Sequence, residues 1–267
     1  MVIRKRFGQH FLEPAWVVKV VHAIAPAPDD LFFEIGPGRG ALTRELSARA
    51  RAVIAFEIDR DLAADLRLTA PDNLTIVEGD FLEPGWILAN RPAQPVRVAG
   101  NLPYNVASPI LFKLVELYAA GIPLTDATVM LQREVADRLA ARPGSKEYGV
   151  LSVLIRVSAA VDRLLVLPGG AFRPAPRVQS ALVRLRFHPP DPAPQNSALF
   201  AALVQAIFTR RRKTLDNALL AFRPWDRLAI ADVVGEAGID GRRRPETLEI
   251  PELVRLADAA SRLTAGP

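Results

Sequence analysis

The sequence predicts an α/β fold in which a doubly wound, Rossmann-like parallel sheet is followed by a small C-terminal α-helical domain. Between residues 31 and 131, short runs rich in β-branched and aromatic residues alternate with segments of helical periodicity, a pattern typical of strands joined by crossover helices. A proline-rich stretch then separates this pattern from a purely helical one. The predicted strands are Leu31–Ile35, Ala52–Phe56, Leu74–Val77, Val96–Val98 and Ala127–Leu131.

The second half of the chain is predicted to add two strands to the sheet and then to form a separate helical domain. Tyr148–Val157 has helical periodicity, and the β-like runs Asp162–Leu167 and Ser180–Phe187 lie close enough in the chain to extend the sheet in an antiparallel sense. The stretch "HPPDPAPQN" excludes regular structure because proline removes backbone donors. We therefore predict a first domain over residues 1–188, a linker over 189–195 and a second domain over 196–267. The helices predicted for the second domain are Ser197–Leu220, Trp225–Glu236 and Pro251–Leu263.

The composition of the 267-residue chain excludes several kinds of site. Without cysteine there is no disulfide, thiolate metal site or cysteine nucleophile, which agrees with a reducing, cytoplasmic location. The three histidines (His10, His22 and His188) are too scattered to predict a metal site. No signal peptide is expected, and no apolar run reaches the roughly 18 residues of a membrane span. The net charge of +5 favours a polyanionic partner such as nucleic acid.

The stretch "FEIGPGRGALT" places glycines at 36, 38 and 40 between a predicted strand and a predicted helix. Backbone amides at such a turn suit an anionic or polar group of a nucleotide-like ligand. The third glycine comes one position earlier than the last small residue of the dinucleotide fingerprint. Taken alone, the turn leaves open a dinucleotide, another nucleotide-like cofactor or no ligand at all.

Acidic residues follow the next two predicted strands. Glu57 lies about 20 residues after the glycine turn, where an acid accepts the hydroxyls of a ribose. Asp80 ends the third strand at the same edge of the sheet, where it could accept from an adenine amine. Nicotinamide enzymes also have a glycine turn and an acid at the end of the following strand. The turn and the acids therefore predict an adenosine-containing ligand without identifying it.

The stretch "GNLPYN", at the end of the fourth strand, narrows the choice. The Asn101 side chain and the Leu102 carbonyl could accept the hydrogens of a planar amine, and Tyr104 offers a flat face for stacking. Such acceptors would free the delocalised lone pair of an adenine amine and stabilise the positive charge that develops on it. Pro103 stiffens the loop that carries these groups. Two acceptors and a stacking face suit methyl transfer to a planar amine, whereas hydride transfer has no evident use for them.

With these motifs in hand, the chain resembles the ribosomal RNA adenine N6,N6-dimethyltransferases (the KsgA family), with the Erm resistance methyltransferases as relatives. The resemblance spans nearly the whole chain, in order and at similar spacing. The segments that carry it are "EIGPGRGALT", "NLPY", "RFGQHFL", "YGVLSVL", "FRPAPRVQSALV" and "FTRRRKTLDNAL". It implies a class I methyltransferase sheet, S-adenosylmethionine as the cofactor and small-subunit ribosomal RNA as the partner.

The resemblance also assigns site residues. It implies that the N-terminal segment lies over the methionine end of the cofactor, although His10 stands where the family usually has asparagine. It implies a catalytic role for the loop formed by Asn101, Leu102, Pro103 and Tyr104, and for Phe172, which would close on the target base from the face opposite Tyr104. The residues implied to bind the cofactor are His10, Leu12, Gly36, Gly38, Glu57, Asp80 and Asn101.

Basic residues supply candidates for RNA contact. Arg177 stands where the family commonly has lysine, and either residue can meet a phosphate. "TRRRKTLDN" is expected to place Arg210, Arg211, Arg212 and Lys213 in one helical turn, and "GRRRPE" (residues 241–246) is a second basic cluster.

The predicted function is therefore S-adenosylmethionine-dependent dimethylation of adenosine N6 in small-subunit ribosomal RNA, with a role in subunit biogenesis. The alternatives are an Erm-like enzyme of the large subunit, a non-catalytic assembly factor that kept the fold, and a nicotinamide oxidoreductase. Glu34 could order the glycine turn or serve a purely structural role. Nothing in the sequence demands more than a monomer.

Overall fold

A computed structural model describes residues 10–83, 85–222 and 225–265 of the chain. Its backbone contacts divide the chain into two compact units. The first comprises the residues up to 136 together with 160–187, and the second comprises 137–159 together with the residues from 188 onward. The sequence analysis placed 137–159 with the first domain, whereas its contacts group it with the C-terminal helices.

The elements up to the end of the sheet alternate as the sequence predicts. The strands are β1 (Phe11–Leu12), β2 (Leu31–Ile35), β3 (Ala52–Glu57), β4 (Leu74–Glu78), β5 (Val96–Asn101), β6 (Leu124–Gln132), β7 (Ala159–Leu167), β8 (Phe172–Arg173) and β9 (Ser180–Phe187). The helices are α1 (Pro14–Ile24), α2 (Ala41–Ser47), α3 (Arg60–Arg67), α4 (Gly85–Ala89), α5 (Ala107–Ala119), α6 (Arg133–Leu139) and α7 (Val150–Arg156), with a 3₁₀ turn at Gly169–Ala171.

Seven strands form the main sheet in the order β4-β3-β2-β5-β6-β9-β7. The five strands from β4 to β6 are parallel, and β9 pairs antiparallel with β6, which confirms the predicted doubly wound α/β class and its antiparallel extension. The chain winds outward from β2 in both directions, so the strand order reverses between β2 and β5. Ligands of open α/β sheets bind at such a switch point, outside the carboxyl ends of the strands.

The strands around the switch point are buried on both faces. All five residues of β2 are buried, which explains why "LFFEI" is a continuous apolar run apart from Glu34. β5 extends beyond its predicted end, because Gly100 pairs with Ile35 and Asn101 with Met130. A Cβ at residue 100 would lie 2.6 Å from the Ile35 carbonyl oxygen, so glycine allows the two strands to approach.

One hydrophobic core joins α1 to the sheet. α1 buries Val17, Val20, Val21 and Ile24, at the spacing of a single helix face. These side chains belong to the same buried cluster as Phe32 of β2. Each fully buried aliphatic side chain contributes roughly 1.5–3 kcal/mol. The core thus fixes α1 against the sheet from which the site is built.

The second unit contains the C-terminal helices. These are α8 (Ser197–Phe208), α9 (Leu215–Leu219), α10 (Arg227–Glu236) and α11 (Ile250–Ala265), with a 3₁₀ turn at Pro245–Thr247. The single helix predicted over 197–220 is wrong: the chain turns between α8 and α9. The amides of Leu215 and Asp216 bond to the carbonyls of Arg243 and Gly241 instead of continuing α8. This tertiary pairing overrides helical periodicity.

Candidate active site

A cavity opens at the carboxyl ends of β2, β3, β4 and β5, at the topological switch point. Residues predicted from five separate stretches of the sequence line it together. They are His10, Leu12, Gly36, Gly38, Glu57, Asp80, Asn101, Leu102, Pro103 and Tyr104. Among the described residues, no group of His, Asp and Glu side chains could hold a metal ion. No helix in the same part of the chain is long and apolar enough to cross a membrane.

The glycine turn after β2 needs its glycines for their backbone conformation. Gly36 and Gly38 have φ values of 68° and 59°, in the left-handed region that disfavours other residues. The Gly38 amide donates to Oε2 of Glu57 at 2.9 Å. This bond ties the turn to the end of β3 and holds its backbone at the cavity.

Glu57 is held in place by amides on both of its oxygens. Oε2 accepts from Gly38 and Oε1 accepts from the Asp59 amide at 2.9 Å. The residue is 4% exposed, and burial raises its pKa while these amide bonds oppose the rise. Each carboxylate oxygen has further acceptor capacity, which suits a pair of ribose hydroxyls.

Asp80 lies at the end of β4 and is exposed at the rim of the cavity. Its Oδ1 accepts the Leu82 amide at 2.9 Å. This local turn fixes the carboxylate at the same sheet edge as Glu57. The two acids therefore come from neighbouring strands, as the sequence predicts for the two parts of an adenosine.

Glu34 lies at the base of the same cavity and is 1% exposed. Burial raises its pKa to about 8, and the negative charge of Glu57 adds to that rise while the nearby Thr43 hydroxyl opposes it. Among the described residues, its Oε2 atom and the Oγ1 atom of Thr43 are both buried without a hydrogen-bond partner by distance and angle. Burial therefore favours the neutral form of this carboxyl group.

The loop after β5 brings the predicted catalytic groups to the cavity. Asn101 Nδ2 donates to the His10 carbonyl at 2.7 Å. Because a carbonyl can only accept, this bond assigns the amide orientation and leaves Oδ1 as the acceptor end. The Leu102 amide donates to the Met130 carbonyl at 3.2 Å, so the loop is tied to β6 as well.

Tyr104 is half-buried at the edge of the cavity. Its hydroxyl lies 2.7 Å from the Ser180 hydroxyl of β9, and burial raises its pKa. The ring stacks against His10, with centroids 5.5 Å apart and planes inclined by 27°. The tyrosine is therefore fixed at its hydroxyl and covered on one face by the histidine.

Residues 10–12, called here the arm, close over the cavity. β1 pairs with β8, and the His10 ring lies against the Pro174 carbonyl, with Nδ1 at 2.7 Å. The Phe11 ring packs on Gly38 and under the Arg39 guanidinium, whose central carbon is 4.2 Å from the ring centroid. Phe11 was missed as a site residue, and its apolar character carries no signal of this contact. The segment 6–9 that precedes the arm lies outside the described residues.

Phe172, which the family resemblance implies at the target base, is not among the residues that line the cavity in the described part of the chain. It is 1% exposed and belongs to the cluster formed with α1. Successive side chains of a strand point to opposite faces, so Phe172 turns inward while the side chain of Arg173 is 81% exposed. Arg177 lies further along the same segment and is exposed.

The basic run before α9 divides into different roles. Arg211 donates to the carbonyls of Lys146 and Tyr148 at 2.7 and 3.2 Å, which makes it a structural residue of the second unit. Arg212 and Lys213 are exposed. The predicted helical turn is wrong, because these residues lie in the turn between α8 and α9.

The second basic cluster meets this turn in the fold. The Leu215 amide bonds to the Arg243 carbonyl at 2.7 Å, which brings residues 241–244 beside the start of α9. Arg242 pairs with Asp240, and Arg243 pairs with Glu252. Arg244 is exposed. Two basic segments that are separate in the sequence thus become neighbours.

Together, the fold and the site define a class of protein: a Rossmann-like methyltransferase with C-terminal helices. The model of the ribosomal RNA adenine dimethylase family matches residues 2–255. The chain belongs to that family.

Two curated relatives support the same assignment. "Ribosomal RNA small subunit methyltransferase A" of Acinetobacter baylyi is 43% identical over 259 residues, covering 96% of this chain and 91% of the relative. The protein of the same name from Chromohalobacter salexigens is 44% identical over 266 residues, covering 96% and 90%.

Two solved structures share the fold over nearly the whole chain. A dimethyladenosine transferase from Plasmodium falciparum matches with a TM-score of 0.73 at 24% identity, covering 92% of this chain and 96% of that one. The 23S rRNA methyltransferase ErmE matches with a TM-score of 0.65 at 28% identity, covering 94% and 99%.

Proposed function

We propose that this protein is an S-adenosylmethionine-dependent enzyme that dimethylates the N6 amine of adenosines in small-subunit ribosomal RNA. The observation that carries the proposal is the Asn101 amide, whose donor end is held by the His10 carbonyl beside the cavity. Relatives above 40% identity are named small-subunit methyltransferases, whereas the large-subunit enzyme ErmE is 28% identical.

The polar groups that line the cavity suit the proposed cofactor. Glu57 would accept the ribose hydroxyls and Asp80 the adenine amine, while the backbone at Gly36 and Gly38 leaves room for close approach. When bound, S-adenosylmethionine supplies a methyl group activated by a positively charged sulfur.

Catalysis would rest on the acceptors of the loop after β5. Asn101 Oδ1 and the Leu102 carbonyl would accept the hydrogens of the target amine and draw its nitrogen out of conjugation with the ring. The same oxygens stabilise the positive charge that develops on that nitrogen. The proton becomes acidic as the new bond forms, so water can remove it and the chain needs no general base.

Tyr104 would hold the target base by stacking. Its position is set by the bond to Ser180, and His10 covers one face, so the base would use the other face. A base in a duplex must be flipped out, which costs a few kcal/mol. Stacking on an aromatic ring offsets this by roughly 1–3 kcal/mol.

Recognition of the RNA would fall to basic residues outside the cavity. We propose that the helical domain over 196–267 contacts phosphates through Arg210, Arg212 and Lys213, with Arg177 contributing from the domain over 1–188. Arg211 would support this surface structurally. The proposed location is the cytoplasm, which the cysteine-free composition favours.

The deciding experiment offers the purified protein labelled S-adenosylmethionine together with unmethylated small or large ribosomal subunits. Nucleosides are then identified by mass spectrometry. We expect N6,N6-dimethyladenosine from the small subunit alone. Label in the large subunit would assign the protein to the activity named for ErmE. No label in either, with cofactor binding intact, would assign it to a non-catalytic role in assembly.

A further inference from the structure

Ser180 begins β9 and belongs to the segment 172–183, whose predicted contact with the target base, Phe172, lies in the hydrophobic core. None of the described residues of this segment lines the cavity. Ser180 is itself 0% exposed, but its hydroxyl lies 2.7 Å from the hydroxyl of Tyr104, which does line the cavity. The segment therefore reaches the active site indirectly, through a pair of hydroxyl groups.

The main sheet holds Ser180 in place. In the antiparallel pairing of β9 with β6, Ser180 lies opposite Gln132, the last residue of β6. The next pair is also joined, because the Arg133 amide donates to the Gln179 carbonyl at 2.9 Å and the Arg133 guanidinium donates to the Gln179 side-chain oxygen at 2.7 Å. Among the described residues, the Tyr104 hydroxyl is the only hydrogen-bond partner of the Ser180 side chain. A fully buried hydroxyl on a paired strand thus anchors Tyr104, which lies in a loop.

This anchor acts on the direction of the Tyr104 side chain. The hydroxyl of a tyrosine lies on the axis about which its ring rotates, so a hydrogen bond there fixes the axis and leaves the rotation free. The His10 ring, stacked at a centroid distance of 5.5 Å and an angle of 27°, restricts that rotation. Burial raises the pKa of Tyr104, so the phenol keeps its proton at neutral pH and serves as an anchor rather than as a base.

We propose that Ser180 is a positioning residue for methyl transfer, which holds Tyr104 so that the base stacked on its ring presents the target amine to the acceptors of Asn101 and Leu102. This inference rests on the proposed function and adds to it a residue that does not line the cavity. Methyl transfer requires the reacting atoms to be aligned at about 3–3.5 Å. A displaced ring would displace the amine, so loss of the anchor should slow the chemical step more than it weakens binding.

The test is a double-mutant cycle of Ser180→Ala and Tyr104→Phe, each of which removes one hydroxyl of the pair. Single-turnover rates are measured at saturating S-adenosylmethionine and saturating unmethylated small subunits. Each single variant should be slower than wild type by about fivefold, the effect of one hydrogen bond of ordinary strength. The double variant should be no slower than either single variant, because the second substitution has no bond left to remove. Affinities for the cofactor and the subunit should stay within about twofold of wild type.

The matched control is Ser47→Ala. Ser47 is a buried serine of α2 whose hydroxyl donates to the Thr43 carbonyl at 2.7 Å, and it is not among the residues that line the cavity. This variant loses a hydroxyl bond of the same length and should keep the wild-type rate, even if its Tm falls.

A second pair of variants replaces Ser180→Ala if that variant does not fold, as judged by its circular dichroism. Ser180→Thr and Ser180→Val have side chains of the same shape and differ in the hydroxyl. The threonine variant should be about fivefold faster than the valine variant, and equal rates overturn the role of Ser180.

The outcomes separate the inference from the function on which it rests. A wild-type rate in Ser180→Ala, or additive losses that reach roughly 25-fold in the double variant, overturns the role of Ser180 and leaves the proposed function intact. A loss of cofactor or subunit affinity as large as the loss of rate also overturns it, because Ser180 would then only stabilise the fold. A wild-type protein that methylates no adenosine of the small subunit overturns the proposed function and this inference with it.

Discussion

At the scale of single residues, the side-chain amide of Asn101 is oriented by a hydrogen bond to the backbone. Its Nδ2 donates to the His10 carbonyl, and among the described residues its Oδ1 has no hydrogen-bond partner. The orienting group is a backbone carbonyl, so this bond does not depend on which side chain stands at position 10. The histidine found here in place of the usual asparagine therefore still permits the orientation of Asn101 that the reaction requires.

Replacing Asn101 by alanine tests that role. Asn101→Ala should lower the single-turnover rate of methylation by about 100-fold, the scale seen when one charge-stabilising group is lost. Affinity for S-adenosylmethionine, measured by calorimetry, should fall by much less than the rate, because the other residues implied to bind the cofactor remain. Asn90→Ala, at the end of α4, is the control and should keep the wild-type rate. An unchanged rate in Asn101→Ala would remove the residue from the catalytic set.

Gly38 tests the glycine turn. Its φ of 59° and the Phe11 ring 3.2 Å from an added Cβ both oppose a side chain. Gly38→Ala should therefore lower the free energy of unfolding by about 1–2 kcal/mol and weaken cofactor binding. Gly85→Ala, whose Cβ would meet open space, is the matched control and should leave both unchanged. Urea unfolding and calorimetry measure the two effects, and equal behaviour of the two variants would contradict this account.

At the scale of elements, the candidate active site is formed by the carboxyl ends of four parallel strands together with the arm. β2 contributes the glycine turn, β3 and β4 the two acids, β5 the catalytic loop, and the arm the cover. Parallel strands place all their carboxyl ends at one edge, so motifs distant in the sequence converge there. A second example is the turn between α8 and α9. Backbone hydrogen bonds from the start of α9 to residues 241–243 bring two basic segments of the sequence together.

Substitutions in that turn can distinguish residues that bind RNA through their charge from a residue that stabilises the fold. Arg212→Gln combined with Lys213→Gln should reduce the slope of log affinity for ribosomal RNA against log salt by about 1.5, with no change in Tm. Arg211→Gln should lower Tm, because its hydrogen bonds to the Lys146 and Tyr148 carbonyls are lost. Filter binding at several salt concentrations and thermal unfolding distinguish the two. An unaltered salt slope in the double variant would make these charges a solvated surface without contact to RNA.

At the scale of the whole molecule, the sheet is anchored by a charge network around Arg97. Its guanidinium pairs with Asp30 at 2.7 Å and with Asp126 at 3.0 Å, and it donates to the Ile24 carbonyl at the end of α1. The side chain is 14% exposed. Removing one partner of such a buried network leaves uncompensated charge, which is more harmful than losing a surface ion pair.

Arg97→Met should accordingly lower the free energy of unfolding by about 3–5 kcal/mol. Arg67→Met, which breaks the ion pair with Glu78 at an arginine that is 44% exposed, should cost at most about 1 kcal/mol. The urea midpoints of the two variants, read by fluorescence and circular dichroism, make the comparison. Similar midpoints would mean that the Arg97 network contributes no more than a surface pair.

The sequence was sufficient for the order of the sheet elements and for most of the cavity lining. Strand periodicity is a local property, and Gly36, Glu57, Asp80 and Asn101 each lie at the end of a strand or within two residues of it. The rule that parallel strands end at one edge then brings them together. Local patterns plus one topological rule therefore determined the doubly wound fold and the position of the site within it.

Tertiary structure alone decided the rest, because it depends on partners distant in the chain. Phe172 is buried because it packs in the same hydrophobic cluster as α1, and the predicted helix over 197–220 is broken because Leu215 bonds to Arg243. Arg211 resembles its basic neighbours in sequence, yet two carbonyls of a distant segment make it structural.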